Sequence, residues 1–132
     1  MSDAVIALQT AATAALETHP ALAQSLNGVY DGPPVRAVFP YIAFTENLVT
    51  DWSTKTETGR EVRLAFTIWD DGDVPARLHQ LIGHSQEAIA ALPEMVGGWQ
   101  IASNIFLRGL IARDAAGPWA ALVEHRIRML QI

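Results

Sequence analysis

Cysteine is absent from this chain, and lysine occurs once, as Lys55. The absence of cysteine excludes disulfides, thiolate metal sites and a cysteine nucleophile, and nothing indicates an oxidising compartment. Long apolar runs are missing too, since none approaches the roughly 20 residues that span a bilayer. The first residues, Met1 to Asp3, are acidic where a secretory signal is basic. We therefore expect cytoplasmic synthesis without export or membrane insertion.

Positive charge is scarce throughout. Nine basic residues stand against fourteen acidic ones, which gives a formal net charge of −5. Proteins that read duplex DNA draw much of their affinity from neutralised phosphates, so we do not expect sequence-specific DNA binding. Half of the residues are hydrophobic, and no linker, repeat or low-complexity tract interrupts them. The chain is therefore predicted to be one folded domain over residues 1–132.

The beginning of the chain predicts a helix. Apolar residues recur at intervals of three and four over 2–16, with Ser2 or Asp3 placed to cap the first turn. Residues 19–20, His-Pro, end that helix because proline cannot continue it. Residues 21–26 allow one further turn.

The middle of the chain predicts two strands. Residues 29–30 form a short extended piece, and the proline-rich stretch 31–34 is a stiff loop. Alternation of apolar and polar residues predicts strands over 41–49 and 61–69. The second is the stronger, and its apolar side is formed by Val62, Leu64, Phe66 and Ile68. We expect the two strands to pair as a hairpin with a long, mobile connection over 50–60.

The last half predicts a second helix and a second hairpin. Asp73 is placed to cap a helix over 74–92. Its buried stripe is predicted to be Val74, Leu78, Leu81, Ile82, Ile89 and Leu92. Strands are predicted over 99–113 and 119–132, separated by a turn over 114–118.

The order helix, hairpin, helix, hairpin defines the expected fold class. We predict an α+β, two-layer sandwich in which a mainly antiparallel four-stranded sheet is covered by two helices on one face. The other face and at least one edge of such a sheet stay uncovered. Trp69, Trp99 and Trp119 are expected to point outward, and association with other subunits would hide such a surface.

Several short motifs, in order, carry a resemblance to a known family. Phe39 to Ile42 forms a Pro-Tyr strand, Asp51 to Thr56 reads D-W-S-T-K-T, and Gly59 to Glu61 leads into an alternating strand that ends at Trp69. Together with the upstream Val29 to Pro33, this arrangement resembles the phage tail-completion, or tail-terminator, family. The resemblance extends over nearly the whole chain.

The resemblance implies a structural assembly protein without catalytic residues or cofactor. Such a protein forms a homo-oligomeric ring, commonly a hexamer, that ends tail-tube growth and joins the tail to the head connector or head-completion protein. Its place is the tail-head junction of a virion, in a phage or a gene transfer agent. A hexamer would carry a formal charge of −30, six times the −5 of one chain, so DNA would pass without specific binding.

Other functions stay open on the sequence alone. Another small head-completion or tail-tube protein would share the acidic composition and modest size. A small enzyme or ligand-binding domain is disfavoured because the polar residues with catalytic potential are scattered along the chain.

The 50–60 connection is the main candidate for a functional segment. Trp52 is either the anchor of an assembly arm or a side chain folded back on the core. Glu124, Arg126 and Arg128 share one side of the last strand, facing solvent, a neighbouring subunit or the lumen of a ring. The candidate assembly interface comprises Trp52, Lys55, Arg60, Trp69, Arg126 and Arg128.

Metal binding is not expected. Asp70, Asp71 and Asp73 are explained by capping and solvation, because they lack the downstream bidentate glutamate of a calcium loop. The histidines lie on different elements, so no zinc motif results; they are His19, His79, His84 and His125.

Catalysis and phosphate binding are not expected either. Ser85 follows His84, but no nucleophile elbow surrounds it and no carboxylate is positioned to orient the histidine. Gly97 and Gly98 precede a strand instead of a helix, so they are read as a turn and not as a phosphate cradle.

Overall fold

The computed structural model describes residues 3–113, 115 and 117–132. Three helices occur in these residues: α1 (Ala4–Thr18), α2 (Pro20–Ser25) and α3 (Ala76–Ala90). The strands are β1 (Val29–Asp31), β2 (Tyr41–Phe44), β3 (Leu48–Asp51), β4 (Gly59–Asp70), β5 (Met95–Val96), β6 (Trp99–Arg113) and β7 (Trp119–Gln131). No helix in the described part of the chain is long and apolar enough to cross a membrane.

All seven described strands belong to one curled, open sheet. Its order is β1-β2-β4-β7-β6-β5, and β3 pairs with β4 further along the edge that β2 occupies. Every pairing is antiparallel except β1 with β2, which is parallel. The expected α+β class and the mainly antiparallel sheet are confirmed, but the plain four-stranded, two-helix sandwich is wrong.

Helix α1 forms as its apolar spacing predicts. Asp3 caps it, accepting hydrogen bonds from the amides of Val5 and Ile6. The buried positions repeat at intervals of four residues and are Ala4, Leu8, Ala12 and Leu16. Ser2, the alternative cap, lies outside the described residues. The helix runs to Thr18, two residues beyond the predicted end.

The core lies between the helices and one face of the central strands. On β4, Val62, Leu64, Phe66 and Ile68 are buried, as predicted. Their cross-strand partners on β7 are Ile127, His125, Val123 and Ala121. Alternation with period two turns the intervening residues of both strands to the opposite face. We call that second face, on the side of the sheet away from the helices, the outer face.

The strand predicted over 41–49 is in fact two strands. Both β2 and β3 pair with β4, and residues 45–47 interrupt them. These residues, Thr45, Glu46 and Asn47, are polar, and the Thr45 amide donates to the Ala65 carbonyl at 3.1 Å. Because β3 extends to Asp51 and β4 begins at Gly59, the connection covers only residues 52–58. The predicted long connection over 50–60 is therefore wrong in its bounds.

The start of α3 also differs from the prediction. The helix begins at Ala76 with Pro75 at the N-cap, and no side chain caps it. Val74, predicted to be buried, is 62% exposed, and Asp73 is exposed as well. Proline fixes its own backbone angle for the helix entry, so the first turn forms without the aspartate. Leu78, Leu81 and Ile89 are buried as expected.

A short hairpin before β6 was not predicted. Val96 pairs with Trp99 across the two-residue turn Gly97-Gly98, both of which have positive φ, at 51° and 84°. Such angles suit the tight turns that match the twist of a hairpin, and they favour glycine. The pairing buries Trp99, which is 2% exposed, so its predicted outward position is wrong.

Strands β6 and β7 form the long final hairpin that was predicted. Two register shifts, at Ile101/Ser103 and at Phe106/Arg108, interrupt their pairing. Of the predicted turn over 114–118, Asp114 and Ala116 lie outside the described residues. Gly117 has a φ of 119°, consistent with a turn.

Candidate assembly surface

The connection between β3 and β4 is a compact, hydrogen-bonded hairpin loop. The Trp52 amide donates to the Gly59 carbonyl at 2.9 Å, and the Gly59 amide donates to the Ser53 hydroxyl at 3.0 Å. Gly59 is required here, because a Cβ at this position would lie 2.3 Å from the Trp52 carbonyl oxygen. Lys55 is exposed within the loop.

The Trp52 side chain packs back onto the outer face of the sheet. It is half-buried, and the Arg128 guanidinium lies over its ring, 5.4 Å from the centroid. Arg128 also donates to Glu61 at 2.9 Å. Arg60 lies at the same end of β4 but on the helix side of the sheet, where it lines a pocket with Asp3, Ala4 and Val5 and pairs with Asp51 at 3.0 Å. Only Trp52 and Arg128 therefore come together on the outer face.

Arg126 lies next to this group in an electropositive setting. Its direct partner across β4 and β7 is Arg63, and like charges in that position repel. Its buried Nε has no hydrogen-bond partner among the described residues. Glu124 lies nearby but is shared between Arg63, at 3.6 Å, and Arg108, at 3.5 Å.

The outer face therefore has an excess of positive charge on an acidic chain. Its charged residues on β4, β6 and β7 are Arg63, Arg108, Arg126, Arg128, Glu61 and Glu124. Four arginines stand against two glutamates, whereas the whole chain carries −5. Glu124 and Arg128 on β7 are thus held by ion pairs within the chain, and Arg126 is the arginine of this face that has no ion pair among the described residues.

Trp69 is not part of this group. It lies at the far end of β4, roughly 30 Å from Arg60 along the strand. There it lines a groove with Pro33, Phe44 and Glu46. The six candidate interface residues therefore do not share one region of the sheet.

The edge formed by β6 is long and open. Beyond Gln100 no described strand lies along its outer side. Ile105, Phe106 and Leu110 are 43%, 40% and 55% exposed on this strand. Unpaired backbone groups beside exposed apolar side chains favour association with another chain. Trp99 is the β6 residue that sequence reasoning named, and it is buried; the length of the predicted strand over 99–113 was the available signal for the open edge.

The aspartates at the end of β4 and just after it do not form a calcium loop. Asp70 is 1% exposed and receives two hydrogen bonds from Arg77, through Nε at 3.0 Å and through Nη2. These bonds lower the pKa of Asp70 even though burial opposes that change. Asp71 lies 3.7 Å from the same guanidinium. The expectation that Asp70 is merely solvated is wrong, because its partner lies seven residues away on α3.

Ser85 offers no nucleophile. Its hydroxyl is buried and donates to the Ile82 carbonyl one turn earlier, at 2.8 Å. The neighbouring His84 points away from it and bonds Glu87 at 2.9 Å. The pair has no catalytic geometry.

Two of the histidines meet in the structure, contrary to expectation. The rings of His19 and His84 are 5.3 Å apart, and Glu87 lies within 3.3 Å of the first and 2.9 Å of the second. Hydrogen bonding to His84, with a smaller contribution from His19, lowers the pKa of Glu87. Spacing along the chain did not reveal this cluster, because His19 lies at the α1–α2 corner, far from His84 in sequence, and only the packing of the helices brings the two together.

His125 is buried in the core between aromatic rings. The ring centroid of Phe66 lies 6.4 Å away and that of Phe106 lies 5.5 Å away. Neither ring nitrogen has a hydrogen-bond partner among the described residues. Burial lowers the pKa of His125 to about 4, so the ring is neutral at pH 7.

Comparison with known proteins agrees with this geometry. Residues 10–130 match the family model of the tail completion protein gp17. The tail completion protein gp17 of Bacillus phage SPP1 is 24% identical over 111 residues, which cover 84% of this chain and 82% of that protein.

Solved structures extend the comparison to the fold. A chain in the virion of a native gene transfer agent particle superposes with a TM-score of 0.81 at 25% identity, covering 98% of this chain and 99% of that one. Bacteriophage SPP1 gp17 superposes with a TM-score of 0.63 at 23% identity, covering 98% and 91%.

These findings define the class of protein first: a structural virion protein of a phage-type tail, and not an enzyme. More narrowly, the chain belongs to the tail completion protein gp17 family. The resemblance read from the short motifs is thereby confirmed.

Proposed function

We propose that this chain is a tail terminator, which forms a ring at the end of the tail tube and joins the tail to the head connector. The observation that carries the proposal is the uncovered surface of the sheet, where the open β6 edge borders the basic outer face. Contact with further protein chains would cover the apolar side chains of such a surface and pair its open backbone groups. The match to a chain in an assembled gene transfer agent virion supports the same function.

The charge distribution favours a ring over a symmetric dimer. With its excess positive charge, the outer face repels a second copy of itself but attracts the acidic remainder of another subunit. Such a contact joins two different surfaces, and heterologous contacts of this kind close into rings when the rotation permits. A hexamer fits the number implied by the family resemblance.

The proposed partners are the tail-tube protein on one side of the ring and a head-completion or connector protein on the other. DNA would pass through the ring without specific contacts, as the acidic chain suggests. The proposed location is the tail-head junction, with assembly in the bacterial cytoplasm.

Deleting the gene tests the terminator function directly. The expected result is tails of uncontrolled length, or heads without attached tails, seen by electron microscopy of purified particles. A strain that makes no tails at all would indicate a tube protein instead. Normal, active particles from the deletion strain would refute both functions.

A charge reversal tests the interface. Arg126→Glu is expected to leave the purified subunit folded while particles from a complemented deletion strain lose at least about tenfold of their activity, because close interfacial charge pairs couple by more than one kcal/mol. Arg36→Glu is the matched control, since this arginine is exposed in the segment between β1 and β2. Equal activity of the two variants would contradict the assignment of the outer face.

A further inference from the structure

His19, His84 and Glu87 form a three-donor cluster between the helices. The ligand atoms, one from each residue, all lie within 4.8 Å of one another. His84 and Glu87 share one face of α3, and His19 stands at the corner between α1 and α2. The side chain of His19 is 18% exposed and that of Glu87 is 65% exposed, so the cluster opens to solvent.

The spacing of the donors suits a small divalent cation. Zinc bound at ~2.0–2.1 Å in a tetrahedral site holds neighbouring ligand atoms ~3.3 Å apart. The Glu87 Oε1 atom lies 3.3 Å from His19 Nε2 and 2.9 Å from His84 Nδ1. A cation between the three atoms therefore requires only small side-chain movements.

The chemistry of the donors selects the metal. Two imidazoles and one carboxylate are ligands that Zn²⁺ prefers, with a water molecule in the fourth position. Magnesium and calcium prefer sites made of oxygen atoms alone. The cluster therefore discriminates between zinc and the commoner alkaline-earth cations.

Metal binding replaces two local hydrogen bonds. The bond between His84 Nδ1 and Glu87 Oε1, at 2.9 Å, is lost because both atoms become ligands. His19 Nδ1 accepts a weak bond from the Leu22 amide, at 3.4 Å, at the start of α2. Coordination through Nε2 leaves the ring proton on Nδ1, so this capping contact is replaced by the metal bond. The contact is at the long end of hydrogen-bond geometry, and little is lost with it.

We propose that His19, His84 and Glu87 form a zinc site that fastens the α1–α2 corner to α3. The site stabilises the helical layer, and it is separate from the outer face and the β6 edge. Because the cation binds the folded arrangement, the midpoint of thermal unfolding rises with zinc concentration.

Thermal unfolding of the full chain tests the site. After treatment with EDTA and its removal, ZnCl₂ is expected to raise the melting temperature by ~5 °C or more at saturation, with one equivalent bound in a calorimetric titration. MgCl₂ at the same concentration is expected to have no effect. A folded chain that neither binds zinc stoichiometrically nor gains stability would overturn the proposal.

Variants locate the site. Glu87→Gln and His84→Ala are expected to abolish the zinc-dependent shift, whereas His79→Ala, an exposed histidine on the same helix, is expected to retain it. Because Glu87 is largely exposed, its substitution leaves the fold intact even if His84→Ala does not. Equal loss in His79→Ala, or full retention in Glu87→Gln, would place any bound zinc elsewhere and refute the assignment.

Discussion

His125 makes the stability of the subunit sensitive to acid. Its pKa is lowered to about 4 by burial, from the usual value of 6.5. Below about pH 6.5 His125 binds a proton in the unfolded chain but stays neutral in the folded chain. Stability that is present above this pH is therefore lost as the pH falls toward 4.

We expect the wild-type chain to lose about 2.5 kcal/mol more than His125→Leu between about pH 7.5 and pH 4.5. Leucine fills a similar volume without a titrating group, and acidic groups elsewhere affect both chains alike. Urea unfolding at the two pH values measures the difference. The same pH dependence in both chains would show that His125 is protonated without cost in the folded state.

The buried carboxylate of Asp70 depends on a partner that is half in solvent. Removing Arg77 leaves a charge at a site that is 1% exposed, whereas removing Asp70 frees a guanidinium that water can solvate. We predict that Arg77→Ala costs about 3 kcal/mol of unfolding free energy and Asp70→Asn distinctly less.

Chemical denaturation of both variants checks this order, with Asp71→Asn as the control. Asp71 is 61% exposed, so its change is expected to be within about 0.5 kcal/mol of wild type. If Asp70→Asn proves more costly than Arg77→Ala, the pair contributes through its geometry and not through the burial of charge.

At the scale of elements, two glycines give opposite predictions. Gly59→Ala is expected to destabilise the β3–β4 hairpin by about 2 kcal/mol or more, since the added Cβ collides with backbone. Gly83→Ala is expected to stabilise α3 by about 0.5–1 kcal/mol, because nothing lies within 4 Å and alanine is the better helix former. Thermal melting of both variants measures this contrast, and a stabilised Gly59→Ala would mean that the loop is open.

Elements with a long periodic pattern were predicted well from sequence. The alternation in β4 and the three-and-four spacing of α1 depend on one face of one element, and local sequence records both. The short strands β3 and β5 were not predicted as separate elements, because both exist only through their pairing with a longer strand. Their stability comes from the partner strand, and the local sequence propensity of a short segment carries no information about that partner.

Sequence reasoning named candidate interface residues but not their arrangement, and their role stays a prediction. Arg126 and Arg128 were placed on one side of β7 by simple alternation. Their pairing with Arg63 and Glu61 depends on the register between β4 and β7, which no local pattern fixes. The contact between His19 and His84 could not be predicted for the same reason, because it depends on the packing of α2 on α3.

For the molecule as a whole, the open edge of β6 is expected to decide assembly. Leu110→Lys places a charge on a strand edge at a residue that is 55% exposed, which discourages pairing with another chain. We predict a monomeric, folded subunit that restores less than about a tenth of wild-type particle activity, corresponding to about 1.4 kcal/mol or more of lost association energy.

Complementation of the deletion strain measures this loss, and circular dichroism of the purified subunit confirms its fold. Ala90→Lys on the exposed side of α3 is the control for an added charge. Full activity of Leu110→Lys would show that the β6 edge stays free in the particle.

The two register shifts in β6 bear on how unincorporated subunits behave. Each one bends the strand and increases its local twist. Fibrils grow by stacking flat, regular strands, and a strand bent at two points is a poor template for such growth. We therefore expect the free subunit to resist fibril growth at this edge before it is incorporated.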